Sequence, residues 1–120
     1  MTARSPALYL SEIISSMDKI ERYITGLSYD EFILREETID AVERNIEKIG
    51  EAAAAIPDDV RNRHPEVPWK TIVGLRNKVI HHYFAVDHEV IWQIVTKNIP
   101  ATKGRLPGYS WNIPGKWVAD

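Results

Sequence analysis

The sequence predicts an all-α protein, most simply an antiparallel bundle of four to five helices with short connections. Three observations lead to this fold class. Apolar residues recur at spacings of three and four, the period of a helix with one buried face. Prolines, glycines and capping residues divide the chain into helix-length segments. No stretch shows the alternation of apolar and polar residues that is typical of strands.

The first predicted helix begins at Ser5 and Pro6, an N-cap hydroxyl followed by proline at the first helical position. Gly26 is expected to end this helix. Ser28 and Glu31 then have the spacing of a capping box, so a short helical turn should follow. The apolar stripe of the first helix consists of Leu10, Ile13, Ile14, Met17, Ile20 and Ile24.

The second long helix is predicted from about residue 36 to residue 56, and Pro57 ends it. Its buried stripe consists of Ile39, Val42, Ile46, Ile49, Ala53 and Ile56. Gly50 lies at the border of this stripe, although glycine inside a helix costs up to about 1 kcal/mol relative to alanine. The close approach of a neighbouring helix would explain its presence.

A connection with three prolines, "PDDVRNRHPEVPWK" at residues 57–70, separates the second helix from the third. It has room for one short helical turn. The third helix is predicted at about residues 68–84. Asp87 is the expected N-cap of a fourth helix, at about residues 88–99, which carries a broad apolar surface.

The C-terminal part of the chain is rich in proline and glycine. Pro100 and the breakers after it are expected to prevent any regular helix. We therefore divide the chain into a helical domain, residues 1–103, and an irregular C-terminal extension, residues 104–120. Trp111 and Trp117 in the extension either pack back on the bundle or belong to a disordered tail, and the sequence leaves both open.

The composition indicates an ordinary cytoplasmic protein. Hydrophobic residues make up 44% of the chain and charged residues 27%, as in typical soluble domains. The absence of cysteine excludes disulfides and thiolate metal sites. No apolar run approaches the roughly 20 residues that span a membrane, and the N-terminus is not typical of a signal peptide.

The charge is unevenly distributed. The net charge of −2 argues against a non-specific polyanion-binding protein, which is usually basic. Residues 61–82, however, contain five basic residues and one acidic residue, a local charge of +4. On charge alone, the simplest interpretation of this segment is a solvated positive face.

Arg76 is the unusual residue of the third helix. It opens the stretch "RNKVIHHYF", residues 76–84, and a helical plot places it near the middle of the apolar face. A guanidinium cannot be neutralised, so burying it unpaired would cost several kcal/mol. It therefore needs an anion. The anion could be Glu47 or Glu51 of the second helix, or a phosphate from outside the protein.

Asn77 and His81 are four residues apart and share the polar side of the same helix. Histidine serves as general acid or base near neutral pH, and arginine binds phosphate through two donors. With Arg76, these residues fit metal-independent cleavage of RNA, in which the substrate's 2′-hydroxyl attacks phosphorus. We expect no metal ion and no cofactor. The spacing alone also allows a structural role, with Arg76 paired to a glutamate and Tyr83 in the core.

The flanking residues add a family resemblance. "PEVPWKTIVGLRNKVIHHYFAVDHEVIW", residues 65–92, resembles the HepT family of HEPN-domain proteins. The shared pattern is Pro-Trp, an aliphatic-Gly-aliphatic-Arg-Asn segment, His-x-Tyr-Phe, a Val-Asp turn and a tryptophan in the last helix. "IEKIGEAAAAIPDDVRNRHPEV" resembles the preceding helix and loop of that family. The resemblance covers about residues 7–100.

The resemblance implies a homodimer with the HEPN fold and the activity of a metal-independent endoribonuclease toxin. It implies that Arg76 and His81 are the catalytic pair of an Arg-x4-His motif, supported by Asn77. It also implies a cognate antitoxin, the minimal nucleotidyltransferase MntA, which transfers AMP to Tyr83. Candidate accessory residues are His82, Lys78 and Glu51.

One departure from the family pattern and two alternative functions stay open. His82 stands where members of the family often carry a small residue, so it could contribute to catalysis or crowd the cleft. The domain could also be a non-catalytic HEPN binding subunit of a nucleotidyltransferase complex. A purely structural dimerisation module is the third interpretation, and it would pair Arg76 with Glu47 or Glu51.

Overall fold

Helices account for the regular structure of the computed structural model, which describes residues 5–80 and 87–106. They are α1 (Pro6–Ile24), α2 (Tyr29–Phe32), α3 (Glu36–Ala55), α4 (Asp58–Asn62), α5 (Trp69–Ile80), α6 (His88–Gln93), a π-helical turn (Ile94–Asn98) and α7 (Ile99–Lys103). The all-α fold class is confirmed, and those residues contain no strand. Within the same ranges, no helix combines the length and the apolar character needed to cross a membrane.

Helix α3 lies at the centre of the bundle, because it packs against both α1 and α5. The predicted apolar stripes of α1 and α3 supply most of the buried residues of these two helices. Their fully buried members are Leu10, Ile13, Met17 and Ile20 on α1, and Val42, Ile46, Ile49 and Ala53 on α3. Ile14 and Ile24 are only partly buried against the core, so the stripe of α1 is narrower than predicted.

The long helices begin and end at the residues that the sequence indicated. The Ser5 hydroxyl accepts a backbone N–H of the first turn of α1, and Gly26 follows the helix with φ +77°, a conformation that favours glycine. Ser28 and Glu31 form the predicted capping box. The backbone N–H of Ser28 bonds to the Glu31 carboxylate at 2.9 Å and holds the pKa of that group below its ordinary value.

The connection between α3 and α5 is more ordered than the sequence suggested. The Arg61 guanidinium donates to the backbone oxygens of Ala53, Ala54 and Ile56, each at 3.0 Å, and so caps the C-terminus of α3. The indole N–H of Trp69 donates to the Arg61 carbonyl oxygen at 3.2 Å. The connection therefore anchors the start of α5 to the end of α3.

The helical structure continues past Pro100, which corrects the prediction that no regular helix follows it. Proline lacks an N–H and its ring collides with the carbonyl four residues earlier in a regular helix. The chain avoids this conflict by widening: the Ile99 N–H bonds to the Ile94 oxygen, five residues back, and Pro100 then falls in the first turn of α7. The Thr96 hydroxyl also donates to the Trp92 oxygen at 2.6 Å.

Lys103 joins the end of α7 to α1. Its ammonium group contacts the carboxylates of Asp18 and Glu21, and its side chain is only 13% exposed. Burial alone would lower the pKa of Lys103, but the hydrogen bonds to the two carboxylates raise it overall. Leu106, three residues beyond Lys103, is buried in the same core. Trp111 and Trp117 lie outside the described residues.

We expect Lys103→Met to lower the free energy of unfolding by about 1–2 kcal/mol, between the values for exposed and buried ion pairs. Because the pKa of Lys103 is raised in the fold, this contribution is present below the unfolded value of 10.5 and lost as pH rises above it. Urea titrations at pH 8 and above pH 10.5 measure both effects. The control is Lys97→Met, at an exposed lysine of the neighbouring turn; equal losses in the two variants would contradict the contact.

Candidate active site

Helix α5 carries the described part of the predicted catalytic segment. Trp69, Ile72 and Leu75 are buried and fix one face of the helix against the core. Lys70 and Thr71 are exposed on the opposite side. The first two turns of α5 are therefore held against the core, and Arg76 lies near the C-terminal end of the helix.

Arg76 is exposed, although the helical plot places it near the middle of the apolar face. The reason lies in the neighbouring helix. A Cβ atom built on Gly50 of α3 would lie 2.5 Å from the Arg76 Cβ and 3.2 Å from its backbone nitrogen. The Cα and Cβ atoms of Arg76 thus pack against α3, as the helical plot indicates, while the rest of the side chain extends into solvent. The close approach predicted from Gly50 is confirmed.

The two glutamates considered as internal partners do not hold Arg76. The Glu47 carboxylate lies 3.7 Å from the guanidinium of Arg44, one turn away on the same helix. Glu51 is exposed. Within residues 5–80 and 87–106, Arg76 forms no ion pair with either carboxylate, so the dimerisation module that required such a pair finds no support. The guanidinium is available to an anion from outside the chain.

Asn77 and Lys78 follow Arg76 and are also exposed. Successive residues of a helix are about 100° apart, so Arg76 and Lys78 face nearly opposite directions. Lys78 lies in the last turn, where a cation complements the helix dipole. His81, His82 and Tyr83 lie outside the described residues. The structure therefore places Arg76, Asn77 and Lys78, and the meeting of Arg76 with His81 stays a prediction.

The positive segment at residues 61–82 is less available than its sequence charge suggests. Arg61 caps α3, as described above. Arg63 lies 4.0 Å from the Asp59 carboxylate, and His64 lies 3.3 Å from that of Glu66. The capping role of Arg61 was not predicted, although its place just past the C-terminus of a predicted helix, where carbonyls lack partners, indicates such a role.

Among the described residues of this segment, three of the four exposed cations lie on α5, namely Lys70, Arg76 and Lys78, and the fourth is Arg63 beside Asp59. A phosphate backbone that approached this helix would meet positive charge without displacing a carboxylate of the described residues from Arg76. The solvated positive face considered from the sequence is thus confined mainly to one helix.

A separate groove of about 380 Å³ runs between α1 and α3. Its lining consists of Tyr9, Glu12, Ser15, Ser16, Arg44, Lys48, Glu51 and Ala52, and no residue of α5 takes part. Acidic and basic side chains alternate there, so the groove has no net preference for an anion. Glu51, the candidate accessory residue, faces this groove.

The chemical groups on α5 suit a phosphate. In the part of the chain that the structure describes, no three histidine, aspartate or glutamate side chains come together as metal ligands. Arginine offers a planar pair of donors that matches two phosphate oxygens, and asparagine adds a neutral donor and acceptor. A general acid or base is the missing component, and His81 is the predicted one.

Comparisons with known proteins point to one family. The family model described as "Ribonuclease HepT-like" matches residues 13–106. A protein named "Probable ribonuclease HepT" from Thermococcus cleftensis is 39% identical over 103 residues, which cover 86% of this chain and 94% of that protein.

Two further relatives carry the name "Putative RNase". One, from Methanocaldococcus jannaschii, is 36% identical over 116 residues and covers 97% of this chain and 96% of its own length. The other, from Caldanaerobacter subterraneus, is 36% identical over 97 residues, which cover 81% of this chain and 87% of that protein. No solved structure matches the chain.

Proposed function

Because this chain belongs to the HepT-like ribonuclease family, we propose that it is a metal-independent endoribonuclease of the toxin type. The observation that carries the proposal is Arg76. It stands on a helix fixed by its buried face, its guanidinium is exposed, and neither neighbouring glutamate neutralises it. An arginine placed in this way is suited to bind a phosphate of the substrate. A cytoplasmic location, where RNA is present, follows from this function.

The proposed reaction is an internal transesterification. His81, as general base, removes the proton of the ribose 2′-hydroxyl, and the 2′-oxygen attacks the adjacent phosphorus. The bond from phosphorus to the 5′-oxygen of the next nucleotide breaks, and that oxygen takes a proton. The products are a 2′,3′-cyclic phosphate and a 5′-hydroxyl. Arg76 stabilises the extra negative charge on the phosphoryl oxygens in the transition state, and Asn77 supports it.

We further propose that the active form is a homodimer in which two copies of α5 face one cleft. A single copy presents Lys70, Arg76 and Lys78, which is little positive charge for a chain with a net charge of −2. Two copies would bring two Arg76 guanidinium groups to the cleft where the RNA would lie. His82 and Lys78 stay candidate accessory residues, and because Lys78 faces nearly away from Arg76, it would contact the RNA backbone outside the catalytic cleft.

The proposed partner is a minimal nucleotidyltransferase of the MntA type, acting as antitoxin. It transfers AMP to Tyr83 and so silences the ribonuclease. The support for this pairing is the resemblance of the Arg-x4-His-x-Tyr segment and its flanks to the HepT family. The alternative, a non-catalytic binding subunit of the transferase, requires the same partner but no cleavage.

The function is tested with the purified, unmodified protein and single-stranded RNA in the presence of EDTA. We expect cleavage that leaves 2′,3′-cyclic phosphate ends, because the 2′-hydroxyl is the nucleophile. DNA of the same sequence, which lacks that hydroxyl, is the matched control and should remain intact. Sedimentation should give about twice the chain mass of 13.8 kDa. Intact RNA would overturn the proposal and favour the binding subunit; a 13.8 kDa particle that cleaves would overturn the dimer.

A further inference from the structure

Helices α3 and α5 approach each other closely at a point where α3 has no side chain. At this point Gly50 faces Arg76. A Cβ atom on residue 50 would lie 2.5 Å from the Arg76 Cβ, 3.2 Å from its nitrogen and 3.3 Å from its Cα. All three atoms belong to the backbone or are bound directly to it, so they cannot rotate away. A side chain at position 50 would have to push α5 itself.

Glycine at position 50 is therefore required by a contact rather than by its backbone conformation. Gly50 lies within α3, and no left-handed conformation is recorded for it. A glycine in the middle of a helix is less favourable than alanine, so Gly50 lowers the intrinsic stability of α3. Gly74 of α5 offers a contrast, because a Cβ atom there would meet no atom of the described residues within 4 Å.

The residue at this contact is the proposed phosphate-binding arginine. In the described part of the chain no carboxylate holds the guanidinium in place, so its position depends on where the helix backbone sits. We propose that Gly50 is a positioning residue: its missing side chain sets how closely α5 approaches α3, and thereby where the Arg76 guanidinium meets the RNA phosphate. This inference rests on the proposed function.

The expected consequence of filling the space is a measurable loss of rate. Ordinary carbon contacts begin near 3.4 Å, so an alanine at position 50 forces a shift of roughly 1 Å. Misplacement of a catalytic group by about 1 Å can slow a reaction by about 10²-fold. Because the shift changes the geometry of the site and not the charge of its surface, the affinity for RNA should fall much less than the rate of the cleavage step.

The test compares Gly50→Ala with Gly74→Ala, the same substitution at an open position two residues before Arg76. We expect Gly50→Ala to lower kcat by about 10²-fold with KM changed by less than about threefold. Gly74→Ala should cleave at the wild-type rate. A kcat for Gly50→Ala within about threefold of wild type would overturn the inference, as would an equal loss of rate in both variants.

A double variant separates positioning from general damage to the fold. If Gly50 acts through Arg76, then adding Gly50→Ala to Arg76→Ala should slow cleavage no further than Arg76→Ala alone. Losses that multiply would overturn the inference. If the wild-type protein does not cleave RNA, the proposed function is wrong. If the wild-type protein and Gly50→Ala both cleave normally while Arg76→Ala does not, only the positioning role of Gly50 is wrong.

Folding is checked by circular dichroism before any rate is compared. If Gly50→Ala does not fold, the experiment is repeated in a background carrying Gly74→Ala and Gly104→Ala, two positions where the added methyl group meets no described residue within 4 Å. Both substitutions favour the helical state. Failure to fold in that background too would overturn the inference, because Gly50 would then serve the fold and not the arginine.

Discussion

Replacing Arg76 by alanine should slow RNA cleavage by about 10³-fold and leave the fold intact. Such a loss corresponds to about 4 kcal/mol of transition-state stabilisation. The fold should survive because the guanidinium is exposed and the Cβ atom, which packs against Gly50, is kept in alanine. Rates on a single RNA under single-turnover conditions, with thermal unfolding as the companion measurement, give both quantities.

The lysine variant tests how the arginine works. Arg76→Lys keeps the charge but loses the planar pair of donors, so we expect a rate between those of the wild type and Arg76→Ala. The control is Lys70→Ala, which removes an exposed cation from the first turn of the same helix. It should weaken RNA binding slightly, in a salt-dependent manner, and leave kcat unchanged.

The histidine completes this prediction. His81→Ala should reduce cleavage by about 10²–10⁴-fold, the usual contribution of a general acid or base. A rate for either alanine variant within a factor of about three of wild type would show that the catalytic pair is assigned wrongly. Because the two residues are proposed to act on one transition state, the double variant should be little slower than the worse of the two single variants.

The elements that the sequence predicted well depend on neighbouring residues. The start of α1 at Ser5, the capping box of Ser28 and Glu31, and the N-cap at Asp87 each satisfy backbone groups within one turn. Such signals act locally, so reading the chain in order is enough to find them. The same holds for the glycine at position 26.

The features that were predicted wrongly depend on contacts between distant parts of the chain. Pro100 breaks a regular helix, but here Lys103 binds two carboxylates on α1 and a widened turn accommodates the proline ring. Neither feature can be inferred from the residues around position 100. The contact between Lys103 and Glu21, which are 82 residues apart in the sequence, stabilises a helix where the local rule for proline predicts none.

The candidate site was predicted in part for the same reason. The angle of Arg76 around α5 follows from helix geometry, and that angle is right, since its Cβ faces α3. Whether its guanidinium is buried depends on what the neighbouring helix places there. Gly50 supplied the correct signal of a close approach, but the sequence could not show that the approaching residue is the arginine itself. His81 and Tyr83 lie outside the described residues, so their roles stay predictions.

Transfer of AMP to Tyr83 by the proposed nucleotidyltransferase partner should silence RNA cleavage. In the proposed transfer the phenol oxygen attacks the α-phosphorus of ATP and pyrophosphate leaves. The product carries a phosphodiester anion and a nucleoside two residues after His81. Negative charge at this place repels the substrate phosphate, and the bulk of the nucleoside occupies the space that RNA needs.

The experiment incubates the purified protein with the transferase and ATP, and follows intact mass and RNA cleavage together. The mass should rise by whole AMP units as the cleavage rate falls by at least about 10²-fold, because modified and unmodified molecules should differ in nearly all of their activity. Tyr83→Phe should gain no mass and keep cleaving in the presence of the transferase. Tyr23→Phe is the matched control at a tyrosine of α1 that is 39% exposed, and it should still be modified and silenced. Silencing of Tyr83→Phe, or full activity of the wild-type protein after it has gained AMP, would contradict control through Tyr83, since in both cases cleavage and modification of this residue would be independent.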